Sequence, residues 1–144
     1  MSGFLLDTNV LSEFNRRGEP DYYVKRWLTA ADTNSLHASV ITFAEIRFGI
    51  ELLSPSKRRT QLEQWIEHEL RGWFAGRLLP VNEPIANHWA SLTAQRQLKG
   101  KPLSNFDGLL AATALHHDLT IVTRDVRDFA ELGIPLFDPW KPSP

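Results

Sequence analysis

Short apolar runs alternate with longer amphipathic stretches along the chain. Each run has the length of a buried strand and is bounded by polar or turn-forming residues. The predicted strands are residues 3–6, 35–39, 78–81, 120–123 and 134–137. Pro135 restricts the last of these strands to an edge of a sheet, because proline cannot donate a ladder hydrogen bond.

The stretches between these runs carry helical signals. Phe43, Ile46 and Ile50 recur at spacings of three and four, which places them on one helix face. Asn82 and Ser104 are favourable N-cap residues for two later helices. The predicted helices are residues 10–14, 20–28, 42–53, 54–73, 83–99, 105–117 and 126–130. Strands separated by helices predict an α/β fold with a short, mostly parallel sheet and helices on both of its faces.

The composition is that of an ordinary globular domain, with 144 residues, 42% hydrophobic and 23% charged. We expect a single domain over residues 1–144, in which residues 138–144 form an extended C-terminal tail. No run of about 18 apolar residues is present, so no membrane span is expected. The N-terminus has no basic segment before an apolar stretch, so no secretory signal is visible. The absence of cysteine fits a cytoplasmic protein.

The net charge of −1 argues against a protein that coats nucleic acid through bulk electrostatics. Any action on nucleic acid therefore depends on a local site. Lys57, Arg58 and Arg59 could contact phosphates there, but such a cluster is more often a solvated helix face.

Four carboxylates occupy positions that point to one rim of the predicted sheet. Asp7 and Asp125 each follow a strand, and Glu45 and Asp107 lie in the first turns of predicted helices. In open parallel sheets, ligands bind at the carboxyl ends of the strands. If these side chains converge, their like charges crowd together unfavourably unless a cation is present. A divalent metal ion and phosphodiester hydrolysis are a natural use of such a cluster.

Helix periodicity separates two of these carboxylates from ordinary surface charge. Glu45 lies on a different arc of its helix from Arg47 and Glu51. Asp107 shares a face with Leu110 and Ala114 in a helix that is apolar almost all round. Such a helix is buried, so a lone carboxylate on it needs a partner or a metal ion.

Local roles could also explain the same residues. Thr42 with Glu45, and Ser104 with Asp107, have the spacing of capping boxes. The segment Asp7-Thr8-Asn9 could be only a turn and a helix cap. Arg124 could contact a substrate or balance the charge of Asp125.

Five motifs, taken in order, give the chain a family resemblance. They are Leu5-Leu6-Asp7-Thr8-Asn9-Val10-Leu11-Ser12-Glu13, Ala44-Glu45-Ile46-Arg47-Phe48-Gly49, Phe106-Asp107-Gly108-Leu109-Leu110-Ala111-Ala112-Thr113-Ala114, Val122-Thr123-Arg124-Asp125 and Phe137-Asp138-Pro139-Trp140. With them the chain resembles PIN-domain proteins, most of all the VapC and FitB toxins of bacterial toxin–antitoxin pairs. The resemblance covers nearly the whole chain.

This resemblance implies a three-layer α/β/α fold and an endoribonuclease that depends on Mg²⁺ or Mn²⁺. Asp7, Glu45, Asp107 and Asp125 match the family's acidic quartet, which we expect to be catalytic and to hold the metal ion. Thr8, Asn9 and Thr123 match polar positions beside the quartet. We expect these residues, together with Arg124, to bind the substrate or to support the carboxylates.

The resemblance also implies a homodimer that a small cognate antitoxin inhibits, often with an arginine inserted among the carboxylates. Operator DNA is expected to be bound only through the antitoxin. Trp65, Trp73 and Phe74 could line an antitoxin groove, although aromatic residues at helical spacing are more often core. Two other functions use the same acidic cluster. One is a metal-dependent phosphohydrolase on small phosphate esters, and the other is a non-catalytic module that binds a basic peptide in an acidic pocket.

Overall fold

The five apolar runs form one parallel sheet in the computed structural model, which describes residues 3–142. The spatial order is β3-β2-β1-β4-β5, and every neighbouring pair is parallel. The strands are β1 (Phe4–Leu6), β2 (Leu36–Ser39), β3 (Leu78–Leu79), β4 (Thr120–Val122) and β5 (Leu136–Phe137). The predicted α/β class is confirmed, and β5 lies at an edge as Pro135 indicates. Of the predicted tail, residues 143 and 144 lie outside the described range.

Helices fill the segments between the strands. The α-helices are α1 (Thr8–Ser12), α2 (Tyr22–Ala30), α3 (Val40–Glu51), α4 (Lys57–Gln64), α5 (Arg71–Trp73), α6 (Glu83–Leu98) and α7 (Asn105–His117). Short 3₁₀ turns cover Glu13–Asn15, Thr33–Ser35 and Val126–Phe129, and a π-helical turn covers Trp65–Leu70. Within residues 3–142, no helix is long and apolar enough to cross a membrane.

Alternation along β1 sends neighbouring side chains into different cores. Leu6 packs in a core with residues of α1, α2 and α3, including Val10, Val24 and Phe43. Leu5 instead packs in a second core with Leu110 and other residues of α7. Since successive side chains of a strand point to opposite faces, these two cores lie on opposite faces of the sheet. The expected three-layer α/β/α arrangement is therefore present.

The start of α3 differs from the prediction. The expected helix begins at Thr42 and uses a capping box with Glu45, but α3 begins at Val40 because Ser39, the last residue of β2, is its N-cap. The Ser39 hydroxyl accepts a hydrogen bond from the amide of Ile41 at 3.0 Å. Thr42 is therefore buried inside the helix, and Glu45 lies in its second turn, not its first.

The helix predicted for residues 54–73 is also wrong in detail. It begins at Lys57, because the side chain of Ser56 accepts the amide of Arg59. A π-helical turn over Trp65–Leu70 then interrupts the α-helical pattern before α5. Trp65, Ile66 and Leu70 are buried within this turn.

Gly108 allows α6 and α7 to pack closely beside the candidate site. A β-carbon at this buried position would lie 3.0 Å from both Thr93 Oγ1 and Trp89 Cδ1. Contacts this short require a neighbour to shift, and both neighbouring atoms belong to half-buried side chains. Gly108 is therefore needed for close approach, not for an unusual backbone angle.

We predict that Gly108→Ala lowers the free energy of unfolding by about 1–3 kcal/mol, because overpacking in a close contact strains the helix pair. Urea denaturation at neutral pH measures this change. Gly49→Ala is the matched control, since no atom lies within 4 Å of a β-carbon built on this helical glycine. The control should gain about 0.5–1 kcal/mol from helix propensity. Equal stability of the two variants would contradict the packing argument.

Candidate active site

Asp7 occupies the centre of the rim formed by the carboxyl ends of β1 and β4. Its amide donates to the Val122 carbonyl at 3.0 Å, so the residue continues the pairing of the two strands. Its carboxylate caps α1 by accepting the Thr8 amide at 2.7 Å, and it accepts the Thr123 hydroxyl at 2.8 Å. Only 7% of the residue is exposed. Asp7 is thus a helix cap, as one local interpretation expected, but it is also a buried carboxylate at the sheet edge.

Glu45 reaches the same rim from α3. The Thr8 hydroxyl donates to Glu45 Oε1 at 3.0 Å, which ties the start of α1 to the second turn of α3. Glu45 is half-buried, and the charges of Asp7 and Asp107 act on it. Thr8 therefore orients one carboxylate through its hydroxyl while its backbone amide binds another.

A polar network joins Asp7 to Asp125 across the sheet edge. The Thr123 hydroxyl donates to Asp7 and accepts the Asp125 amide at 3.0 Å. Asn9 Nδ2 donates to Asp125 Oδ2 at 3.1 Å, and Asn9 Oδ1 accepts the amide of Arg124 at 3.4 Å. The network fixes the turn after β4 against the start of α1. The polar residues predicted beside the quartet therefore contact it directly.

Asp107 approaches the rim from the first turn of α7. Ser104 caps this helix by accepting the Asp107 amide at 3.1 Å, so the predicted cap is present. The next turns of α7 are buried from Leu110 to Ala114. Because this part of the helix is locked in a core, its first turn presents Asp107 from a fixed support.

The electrostatics show that the carboxylates share one environment. Burial raises the pKa of Asp7, and the charges of Asp125 and Asp128 raise it further, although hydrogen bonds from Thr123 and Thr8 act in the opposite direction. Burial also raises the pKa of Glu45 and of Asp107, and in both cases the charge of Asp7 adds to the effect. The charge of Asp7 therefore acts on Glu45 and on Asp107, and the charge of Asp125 acts on Asp7 and on Asp107.

Asp128 is an acidic residue that the sequence interpretation missed. It lies in the 3₁₀ turn over Val126–Phe129, and its charge raises the pKa of both Asp7 and Asp107. The spacing Asp125-x-x-Asp128 is a signal that could have revealed it, because positions three apart in such a turn lie on one side.

The donor chemistry of this rim fits a hard divalent cation. Within residues 3–142, no three Asp, Glu, His or Cys side chains are already arranged to hold a metal ion together. Yet Asp7, Glu45 and Asp107 all have raised pKa values, and their carboxylate oxygens are ligands that Mg²⁺ and Mn²⁺ prefer. Mg²⁺ keeps several waters and needs only one or two protein carboxylates. The expected metal ion is therefore compatible with the chemistry of these side chains and stays a prediction.

The basic residues considered as phosphate contacts differ in whether they already have partners. Arg58 donates to the Asn15 carbonyl, and Arg59 pairs with Glu51 and Glu63 at 3.0 and 2.7 Å. These two arginines hold α4 in place, so the proposed phosphate contact by residues 57–59 is not supported for them. Arg124 makes no ion pair with Asp125 in the described structure; its guanidinium lies over the ring of Trp140.

One apolar cavity reaches the rim, and a second is lined in part by residues at or before the starts of β2 and β3. The first, about 400 Å³, is lined by Thr8 and Glu45 at one end and by apolar residues such as Ile46 and Trp65. The second, about 340 Å³, is lined by residues that include Trp73. Of the three aromatic residues considered for a groove, Trp65 and Phe74 are buried in the core, whereas Trp73 is half exposed.

Comparison with known proteins accounts for this arrangement. The sequence pattern described as PIN domain matches residues 4–135, which is most of the chain. The chain belongs to the PIN-domain family. This PIN domain is 39% identical over 139 residues to the VapC ribonuclease Y4jK of Sinorhizobium fredii, covering 96% of this chain and 99% of the relative. It is also 39% identical over 136 residues to the toxin FitB of Neisseria gonorrhoeae, covering 94% and 97% of the two chains.

The fold of this PIN domain agrees with a solved relative. The structure of FitAB bound to an IR36 DNA fragment contains a chain that superposes with a TM-score of 0.88 at 37% identity, covering 98% of each chain. The resemblance to VapC and FitB toxins found in the motifs is therefore confirmed.

The raised pKa of Asp7 predicts how Asp7→Asn changes stability with pH. A carboxyl group whose pKa is higher in the folded state binds its proton more tightly there, so its contribution to stability is lost as pH rises through the folded pKa. Asparagine carries no such charge. In EDTA, the variant should therefore gain stability relative to the parent chain as pH rises from about 4 to about 7.

Urea denaturation of both proteins across this range measures the difference in free energy of unfolding. Asp32→Asn is the control, because Asp32 caps the 3₁₀ turn at Thr33–Ser35 and is exposed. A difference between Asp7→Asn and the parent that does not vary with pH, or that falls as pH rises, would contradict the account.

Proposed function

We propose that this PIN domain is the endoribonuclease toxin of a toxin–antitoxin pair and that its activity requires Mg²⁺ or Mn²⁺. The observation that carries the proposal is the set of four carboxylates, coupled electrostatically around the buried Asp7. The names of the relatives support the rest, since one is a VapC ribonuclease and another is the toxin FitB.

Each side chain of the rim has a role in this proposal. Asp7 and Asp107 would hold the metal ion, and Glu45 and Asp125 would complete its surroundings or support a second ion. Such an ion would lower the pKa of a bound water and neutralise charge on the scissile phosphate. Water as nucleophile leaves a 5′-phosphate and a 3′-hydroxyl on the cut RNA.

Polar residues around the carboxylates keep them oriented. Thr8 holds Glu45 through its hydroxyl, and Thr123 holds Asp7 through its own. Asn9 fixes the position of Asp125. Such outer contacts matter because they set the geometry of the ligands before the ion arrives.

The partners follow from the same relatives. FitAB was solved bound to DNA, and we propose that this chain likewise binds a cognate antitoxin, which alone contacts operator DNA. The cavity that ends at Glu45 offers apolar walls to an antitoxin segment and a carboxylate to an inserted arginine. Phe48 on α3 and Leu52, the C-cap residue of that helix, are 61% and 72% exposed, which suits pairing of subunits in a homodimer. The proposed location is the cytoplasm, where RNA and operator DNA are found.

The proposed activity predicts a specific pattern in RNA cleavage. Purified chain without antitoxin should cut total RNA in Mg²⁺ or Mn²⁺, and EDTA should stop the cutting. Asp7→Asn should lower the rate by at least about a hundredfold, since it removes a charged ligand from the site. Mapping of the cut ends should find 5′-phosphates.

Two controls separate this activity from its alternatives. Asp32→Asn, which changes an exposed carboxylate on another loop, should cut at the parent rate. Hydrolysis of p-nitrophenyl phosphate without any RNA cleavage would favour a small-ester phosphohydrolase. Cleavage that persists in EDTA, or that Asp7→Asn retains, would refute the proposed metal site.

A further inference from the structure

The register of the sheet places the C-terminal tail beside the candidate site. Val122 pairs with Phe137, and the amide of Thr123 donates to the Phe137 carbonyl at 2.9 Å. Because β4 and β5 are parallel, the residues after each strand emerge at the same rim. Residues 123–125 and 138–140 therefore lie side by side, although the sequence separates them.

Local contacts fix the ring of Trp140 at this rim. The Asp138 carboxylate accepts the Trp140 amide at 2.9 Å, which closes a tight turn around the buried Pro139. The Trp140 ring packs against the core on the Leu6 face of the sheet. Its indole Nε1 is buried and has no hydrogen-bond partner within the described range. The ring is thus held by packing and by the turn, with one face toward Arg124.

Arg124 lies on that face. Its guanidinium carbon is 4.5 Å from the centre of the Trp140 ring, a distance typical of a cation–π contact. The Arg124 backbone is fixed as well, since its amide donates to Asn9 Oδ1. Both ends of this side chain are therefore constrained by residues of the rim or the tail.

The charge of Arg124 is not neutralised by a described carboxylate. Arg16 and Arg59 each pair with glutamates, whereas Arg124 has no ion pair with any acidic residue between positions 3 and 142. Arg124 is also exposed to solvent. A contact with an aromatic ring orients a guanidinium but leaves its charge and its donor groups free for a phosphate.

The positive charge of Arg124 can offset the repulsion between the carboxylates of the site and the phosphates of RNA. The chain has a net charge of −1, and its carboxylates repel the phosphates of RNA. Arg124 lies between Thr123 and Asp125, both of which belong to the hydrogen-bonded network around Asp7. Because Arg124 and Trp140 both follow strands that end at this rim, a phosphate that contacts Arg124 would lie on the same rim as the carboxylates.

We propose that Arg124 binds a backbone phosphate of single-stranded RNA next to the scissile bond, and that Trp140 is the positioning residue that holds its guanidinium at the rim. The proposal rests on the proposed ribonuclease function for the identity of the ligand. It extends that function by giving the C-terminal tail a part in substrate binding.

The test measures binding apart from cleavage. A short fluorescein-labelled single-stranded RNA of mixed sequence is titrated with the full chain in EDTA, and anisotropy is recorded at several salt concentrations. Arg124→Gln should weaken binding about fivefold or more, and the slope of log affinity against log salt should fall by about 0.7, as for one lost phosphate contact on a single strand. Trp140→Leu should weaken binding about two- to fivefold.

A double-mutant cycle distinguishes positioning from simple structural support. If Trp140 acts through Arg124, Trp140→Leu should cause no further loss once Arg124→Gln is present. Trp140→Phe should restore part of the affinity, because it keeps an aromatic face. Arg127→Gln is the charge-matched control: Arg127 is exposed in the neighbouring turn and has no ring contact in the described structure, so its effect should add to that of Trp140→Leu.

The outcomes separate this proposal from the ribonuclease function. Additive losses for Trp140→Leu and Arg124→Gln, unchanged affinity in either variant, or no RNA binding by the parent chain would overturn the proposal. RNA binding that depends on Arg124 and Trp140 without cleavage in Mg²⁺ or Mn²⁺ would refute the ribonuclease activity alone.

Thermal denaturation of each variant identifies any that fails to fold. Nuclear magnetic resonance of the Arg124 side chain then tests the contact directly, since its ring-current shift should disappear in Trp140→Leu and remain in the parent.

Discussion

The carboxylates at one edge of the sheet are partly buried and close together, so they repel one another. The local structure around them holds them in place despite that repulsion. Asp7 is only 7% exposed, and this burial raises its pKa. The charges of neighbouring acidic residues raise the pKa further. Thr8 and Thr123 offset part of this cost with hydrogen bonds that favour the charged form. In our proposal, a divalent cation relieves the remainder.

The parallel sheet makes this crowding possible. Asp7 and Asp125 follow adjacent parallel strands in which Leu6 pairs with Val122. The helices that carry Glu45 and Asp107 are anchored by buried faces, so they present these residues from fixed supports. The same geometry brings the tail to the rim, where Trp140 meets Arg124. The parallel sheet thus brings together both the carboxylates and Arg124, the residue proposed to bind the RNA phosphate.

The parts that the sequence could predict are those that depend on chain direction and periodicity. The α/β order, the edge position of the last strand and the rim placement of Asp7 all follow from such patterns. The start of α3 did not, because β2 runs directly into Ser39 as a cap and no spacing distinguishes Ser39 from Thr42. The contact between Arg124 and Trp140 depends on strand register, and the ion pairs of Arg59 depend on how α4 packs. Such contacts between distant segments leave no pattern in the local sequence that could predict them.

The central claim is that Asp7 and its neighbours bind a divalent cation that relieves their repulsion. Titration with Mn²⁺, followed by electron paramagnetic resonance of the free ion, tests it without RNA or antitoxin. We expect saturable Mn²⁺ binding by the parent chain, a large loss in Asp7→Asn and Asp107→Asn, and unchanged binding in Glu51→Gln, whose carboxylate pairs with Arg59 away from the rim. Equal Mn²⁺ binding by all four proteins, or none by the parent chain, would contradict the account.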